Sequence, residues 1–405
     1  MRLTTGGTPS KSFRRPVVGK VSREALREGE RADRILVIDR IPAHVGELAG
    51  YSGFLTTAKV ERQRSPVPTI SSVHEIDHLR TNDIVAMEPN NGFIRTLYRP
   101  DSNHNVIFAT HRCNSNCLMC SQPPQDRDDA AASAERNLQL IRLIDKPPAR
   151  LVITGGEPTL LGERLLTIIA ALRDKFPETY LHMLTNGRIF AWPAFTARLA
   201  EVKHPDFVLG IPLYSDDSTI HDYVVQAQGA FDQTVIGLHQ LARYGLRVEI
   251  RVVLHAVTVP RLAQLAEYIY RNLTFAEHIA LMGLENIGYT PRNMAKLWVD
   301  PHDYQDQLEE AVELLSTRGM NVSIYNHQLC VLRRSLWKFA RKSISDWKNI
   351  YIEECASCGV REHCGGFFKW ATKIHSSHIH SLSPMLNEDL MHVGSNHKPA
   401  QITDS

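Results

Sequence analysis

From about residue 104 the sequence changes rhythm. Short apolar runs alternate with amphipathic stretches six times in succession. The strand-like runs fall at 105–110, 151–153, 180–184, 207–213, 246–254 and 278–284. The helix-like stretches fall at 131–144, 164–175, 192–202, 233–244, 262–272 and 304–317. In the last of these Tyr304, Leu308, Val312 and Leu315 recur at helical spacing, and Gly319 follows as a stop signal. Six βα repeats call for parallel strands covered by helices. That leaves a doubly wound sheet or a barrel. The polar motifs stand at strand C-terminal ends, where barrel active sites lie. The expected class is α/β, a partial (β/α)6 TIM-type barrel, with a small β-rich N-terminal domain and a Cys-rich C-terminal extension.

The flanks read differently. Residues 1–20 are polar and rich in Gly, Ser, Thr and Pro, and are expected to form a flexible arm. Residues 21–103 hold strand-like runs, with 83–87 and 92–98 separated by a Pro-Asn-Asn-Gly turn signal, so a hairpin is expected there. The barrel is assigned to 104–300, a last helix and cysteine extension to 301–371, and a disordered His/Ser-rich tail to 372–405.

Hydrophobic residues make up 43% and charged residues 22%, enough for a large core. The net charge of +2 is too mild for a nucleic-acid or anionic-membrane partner, and no run of eighteen apolar residues occurs. The basic N-terminus lacks an apolar stretch behind it and does not read as a signal peptide. A cytoplasmic location with reduced thiols is therefore expected.

Seven cysteines in such a compartment, six of them in two clusters, point to metal or cluster ligation. Cys113, Cys117 and Cys120 follow the first barrel strand at spacing C-x3-C-x2-C. Three thiolates wrap one corner of a [4Fe–4S] cube and leave one iron for an outside ligand, since a cube normally takes four cysteines. A zinc site is usually closed by four ligands. Gly155, Gly156 and Glu157 end the second strand; bare glycines admit a close backbone approach, and a carboxylate accepts from an ammonium group. An ordinary proline-closed turn fits that stretch equally well. Thr185-Asn186-Gly187 ends the third strand, Ser215 follows the fourth, and Arg251 lies on the fifth beside Glu249, where an ion pair is the plainer reading. His182 and His255 are barrel-lining acid–base candidates or simply packed residues. Cys355, Cys358 and Cys364, with Cys330 upstream and His363 as a substitute, form a second set suited to zinc or to a closed [4Fe–4S] cluster. The histidines of 375–380 read more readily as a solvated tail than as a metal site.

The loop from His111 to Pro124 and the Gly-Gly-Glu-Pro ending resemble the radical SAM (S-adenosylmethionine) superfamily. That resemblance implies catalysis through Cys113, Cys117 and Cys120, whose cluster binds SAM and cleaves it to a hydrogen-abstracting 5′-deoxyadenosyl radical. It implies SAM contacts from Met119, where the family often has an aromatic residue, and from Gly155, Gly156, Glu157, Asn186, Ser215 and Arg251. The second cysteine set is similar to the SPASM and twitch extensions of peptide-modifying members, which implies one auxiliary [4Fe–4S] cluster. Together with the Cys-Gly-Gly-Phe-Phe368 ending, the loop resembles the C-type maturase of the His-Xaa-Ser system. That implies a ribosomally made precursor peptide, an electron donor and a second maturase as partners. Other readings are a radical SAM enzyme acting on a small molecule or tRNA base, and a zinc-stabilised binding protein without catalysis.

Overall fold

In the computed structural model the described residues are 3–42, 44–60, 65–343 and 349–384. They build two eight-stranded sheets. The first contains β1 (Thr4–Gly6), β2 (Thr8–Pro9), β3 (Val17–Ser22), β4 (Arg34–Val37), β5 (Gly53–Leu55), β6 (Thr69–Ser71), β7 (Ile84–Met87) and β8 (Phe93–Tyr98), in the order β1-β8-β7-β3-β4-β5-β6-β2. β7 and β8 pair antiparallel as the expected hairpin; β3, β4, β5 and β6 run parallel to one another, while β3 meets β7 and β6 meets β2 antiparallel. Side chains alternate between faces with period two. Ile35, Val37, Leu55, Ile70, Val85 and Ile94 pack into one core with Val21 and Phe13, while Leu36 and Phe54 join Tyr51 in another. Each such fully buried side chain contributes about 1.5–3 kcal/mol. At the base of the hairpin, buried Arg99 grips Asp83 through its Nε and Nη2 at 2.9–3.2 Å.

The flexible arm expected at 1–20 is corrected here. β1 pairs with β8 and β2 with β6, so one short extended segment occupies both ends of the sheet order, and β3 lies inside it. Short edge strands need backbone pairing more than apolar side chains, which is why composition misled. Gly7 sits at the crossing: a Cβ there would stand 2.4 Å from the Ser71 carbonyl oxygen.

The second sheet contains β9 (Asn105–Phe108), β10 (Arg150–Thr154), β11 (Tyr180–Leu184), β12 (Phe207–Pro212), β13 (Arg247–Leu254), β14 (His278–Gly283), β15 (Val322–Tyr325) and β16 (Ala340–Arg341). The strands follow one another in chain order, and every pair from β11 to β16 is parallel. A doubly wound sheet reverses its order at a switch point; this one does not, as a partial barrel requires. Two short strands, β15 and β16, extend the six expected. The helices are α1 (Ala130–Leu143), α2 (Glu163–Lys175), α3 (Pro193–Val202), α4 (Ser218–Val225), α5 (Ala230–Arg243), α6 (Leu262–Asn272), α7 (Thr290–Leu297) and α8 (Gln305–Thr317). Local chemistry sets their ends. Asp217 caps α4 by accepting the Ile220 N–H, Pro193 opens α3, and Gly245 at φ 70° follows α5.

The chain divides into two compact units. One holds the residues up to Phe108 with Ala130–Val152 and Glu163–Tyr180. The other holds Ala109–Asp129, Ile153–Gly162 and the chain from Leu181 onward. The boundary expected between 103 and 104 is therefore replaced by an interleaved one. The disordered tail expected at 372–405 is corrected over 376–384: Ser376 is buried, and Gly359 N–H donates to the Leu382 carbonyl at 2.8 Å. Residues 385–405 lie outside the described residues. Among the described residues no helix is long and apolar enough to cross a membrane.

Candidate functional site

The cysteine loop leaves β9 and docks at once on the end of β10. Gly156 N–H donates to the Thr110 carbonyl and Glu157 N–H to the Arg112 carbonyl, both at 2.7 Å. A Cβ on Gly156 would stand 2.0 Å from the Arg112 oxygen, and one on Gly155, at φ 149°, 2.6 Å from the Thr110 oxygen. The close approach these glycines permit is thus to the cysteine loop itself. On its other side the loop is held by backbone bonds from Asn116 to Val225 and from Leu118 to Val224, at the end of α4. The Cys120 carbonyl accepts from Tyr289 N–H, and Asn293 Nδ2 donates to the Leu118 carbonyl at 2.7 Å.

Glu157 is buried, and its carboxylate is the hub of the site. Oε1 accepts from Thr159 N–H, the Thr159 hydroxyl and the Thr185 hydroxyl; Oε2 accepts Asn186 N–H, all within 3.0 Å. Glu157 is expected to offer its carboxylate to a ligand's amine; within the chain its donors clamp the ends of β10 and β11 together. Asn186 Nδ2 then reaches Asn114 Oδ1 in the cysteine loop at 2.6 Å.

The three thiols sense one another. Burial, then Glu157, pushes the Cys113 thiol up to about 11; burial, then Cys120 and Cys113, pushes Cys117 up to about 12; burial raises Cys120 as well. Three soft sulfur donors that the fold alone keeps protonated fit a bound cationic cluster, which would hold them as thiolates. Among the described residues neither cysteine set brings three ligand atoms within 4.8 Å of one another.

Three further residues expected near the ligand make contacts within the chain. Met119 is buried with Leu118, Tyr214, Val224 and Leu297, so its sulfur serves the core. Ser215 accepts Asp217 N–H at 3.1 Å in a turn ahead of α4, and is 1% exposed. Arg251 donates to Glu249 Oε1 at 2.5 Å and lies 3.0 Å from the Met282 sulfur, so the ion pair is what forms. Glu249 also meets His278 Nδ1 at 2.8 Å and His182 Nε2 at 3.6 Å. Burial would raise its carboxyl, but Arg251, His278 and His182 outweigh that and hold it well below the usual range. Burial pushes His255 down to about 4, and its Nδ1 accepts Val257 N–H.

Other residues escaped the sequence reading. Asp129 accepts from Thr110 Oγ1 at 2.5 Å and meets His111 Nδ1 at 2.6 Å, bracing the loop's first turn. Arg188 donates to the Asn114 carbonyl at 2.5 Å and to Ser115 Oγ at 3.2 Å. Both sit in ordinary polar stretches, Asp129 directly ahead of α1 and Arg188 shortly after β11, and that position was their only signal.

The Radical SAM superfamily profile matches residues 107–269. The chain carries a radical SAM domain. Among solved structures the chain is similar to Streptococcus suis SuiB bound to S-adenosylmethionine, at 17% identity and TM-score 0.44, over 55% of this chain and 50% of that one. It is similar to anSMEcpe with bound AdoMet and Cp18Cys peptide, at 17% and 0.42, over 54% and 62%. It is also similar to a radical SAM methyltransferase from Sphaerobacter thermophilus, at 15% and 0.42, over 64% and 76%. The chain spans about half the length of SuiB. No curated protein matches it.

The second cysteine set lies beyond the matched residues. Burial, helped by Cys364, Cys355 and Cys358, pushes Cys330 up to about 11, and burial raises Cys364 and Cys355. Cys364 Sγ receives N–H groups from Leu329 and Gly366, each at 3.5 Å.

Proposed function

We propose that this chain is a radical SAM enzyme that modifies a ribosomally made peptide. The observation that carries the reading is the docking of the Cys113–Cys120 loop against Gly155, Gly156 and Glu157 at strand C-terminal ends. Cys113, Cys117 and Cys120 would hold the [4Fe–4S] cluster. Bound together, cluster and SAM supply the hydrogen-abstracting radical. The chain's own residues do the rest. Gly155 and Gly156 admit the loop, Glu157 and Asn186 lock it to β11, and Asp129 braces its entry. Leu118, Met119 and Tyr214 pack with Cys117 and give its thiol an apolar wall that limits water.

The peptide substrate rests on the second cysteine set, read as one auxiliary cluster on Cys330, Cys355, Cys358 and Cys364, and on the likeness of the 111–124 loop to the His-Xaa-Ser maturases. A second maturase and a reductant belong to this reading. The net charge of +2 speaks against a tRNA substrate.

The test uses the full chain, reconstituted anaerobically with iron and sulfide, reduced, and given SAM with a His-Xaa-Ser precursor peptide. Formation of 5′-deoxyadenosine with a mass change in the peptide is expected, and Cys117→Ala abolishes both. SAM cleavage that leaves every candidate peptide unchanged would remove the peptide reading. Loss of cleavage altogether in iron-loaded protein would remove the enzyme reading.

A further inference from the structure

The histidine run 375–380 has no part in the chemistry above, yet it is not loose. Ser377 N–H donates to Asp300 Oδ2 at 3.1 Å across 77 positions of sequence. The same segment lies over the second cysteine set. Ser381 Oγ donates to the Glu354 carbonyl at 2.6 Å and meets Ser357 Oγ at 2.9 Å, and the His380 backbone N–H is aimed at the Cys330 sulfur. Between these anchors the His378 ring stacks on His302, centroids 3.6 Å apart and planes within 8°. Asp303 Oδ1 stands 3.4 Å from His302 Nδ1. One ligand atom from each of His302, Asp303 and His378 falls within 4.8 Å of the other two, and all three residues are exposed.

We propose that His302, Asp303 and His378 bind one zinc-type divalent ion, which clips segment 376–384 over the second cysteine set. Two imidazole nitrogens and one carboxylate oxygen form a borderline donor set that suits zinc, with its fourth position open to water. The stack brings the two rings together from distant parts of the chain; because each imidazole donates in its own ring plane, ligation turns the exposed rings out of the stack while the backbone anchors stay in place. Asp300 orients the site from behind: it accepts the His302 N–H at 3.0 Å and ties down Ser377. The ion closes a long loop, and holding such a loop shut is where a metal clip acts most strongly. The site stands apart from the radical SAM reading and survives its failure.

The test titrates zinc anaerobically into the full chain by calorimetry, with both cysteine sets already loaded with iron and sulfide. His378→Ala and His302→Gln serve as paired variants; both positions are exposed, so folding is not at stake. One zinc per chain is expected, weakened roughly tenfold or more in either variant with iron content unchanged. Hydrogen exchange across 376–384 should slow on zinc addition in the parent chain only. Equal zinc affinity in parent and both variants marks adventitious binding and overturns the site. Variant-sensitive binding without slowed exchange overturns the clip.

Discussion

A carboxylate offers about four lone-pair sites, and Glu157 meets four donors from its own chain. Whether such a group faces a ligand or its own backbone depends on where two strand ends meet, which no local motif records. Glu157→Gln is expected to cost about 1.5–3 kcal/mol in a denaturant melt of the metal-free chain, because an amide keeps one acceptor oxygen and sets an NH2 against donors at the other position. A variant that loses SAM affinity at unchanged stability would show instead that the carboxylate serves the ligand. The cysteines were legible because their chemistry narrows the options: thiols clustered in a reduced chain have few uses. Their protonation adds a pH signature. The thiols of Cys113 and Cys117 are raised from an ordinary 9.0 to about 11 and about 12 in the fold, so between those values the unfolded chain holds fewer protons than the folded one. Stability of the metal-free chain is therefore fully present below pH 9 and falls as pH climbs through 11. Iron-loaded protein, with thiolates at all pH values, should lack that fall; melts across pH 8–12 compare the two.

At the scale of elements, the six βα repeats were readable because helix and strand periods differ and each stretch was long enough to display its own. α4 and α7, of eight residues each, and the short β15 and β16 carry too little periodicity to stand out. The arm at 1–20 was misjudged for a related reason, since β1 and β2 are held by main-chain pairing. The tie between the cysteine loop and β10 is an element contact made of backbone. Gly156→Ala would place a methyl 2.0 Å from the Arg112 oxygen and drive the two apart. Iron retained at the Cys113 set after desalting should fall at least about tenfold, with the Cys330 set unaffected. Undiminished iron at both sets would mean the loop does not depend on this docking.

For the molecule as a whole, two sulfur sets lie in one contact unit, built from opposite ends of the second sheet's sequence. If each holds a cube, anaerobically loaded protein should contain roughly eight irons and eight sulfides per chain. Removing Cys113, Cys117 and Cys120 together should leave roughly four, and so should removing the other set. Zinc in place of iron at either set, found by elemental analysis, would reassign that set as structural.

The backbone bonds on both flanks of the 113–120 loop have one more consequence. Amides of Asn116 and Leu118 are already engaged, and the carbonyls of Thr110, Arg112, Leu118 and Cys120 already have donors. Fixing one residue's backbone costs about 1–2 kcal/mol in lost freedom, and these bonds offset part of that cost along the loop. A loop held on both flanks leaves the binding energy of a cluster to sulfur–iron bonds rather than to ordering the main chain.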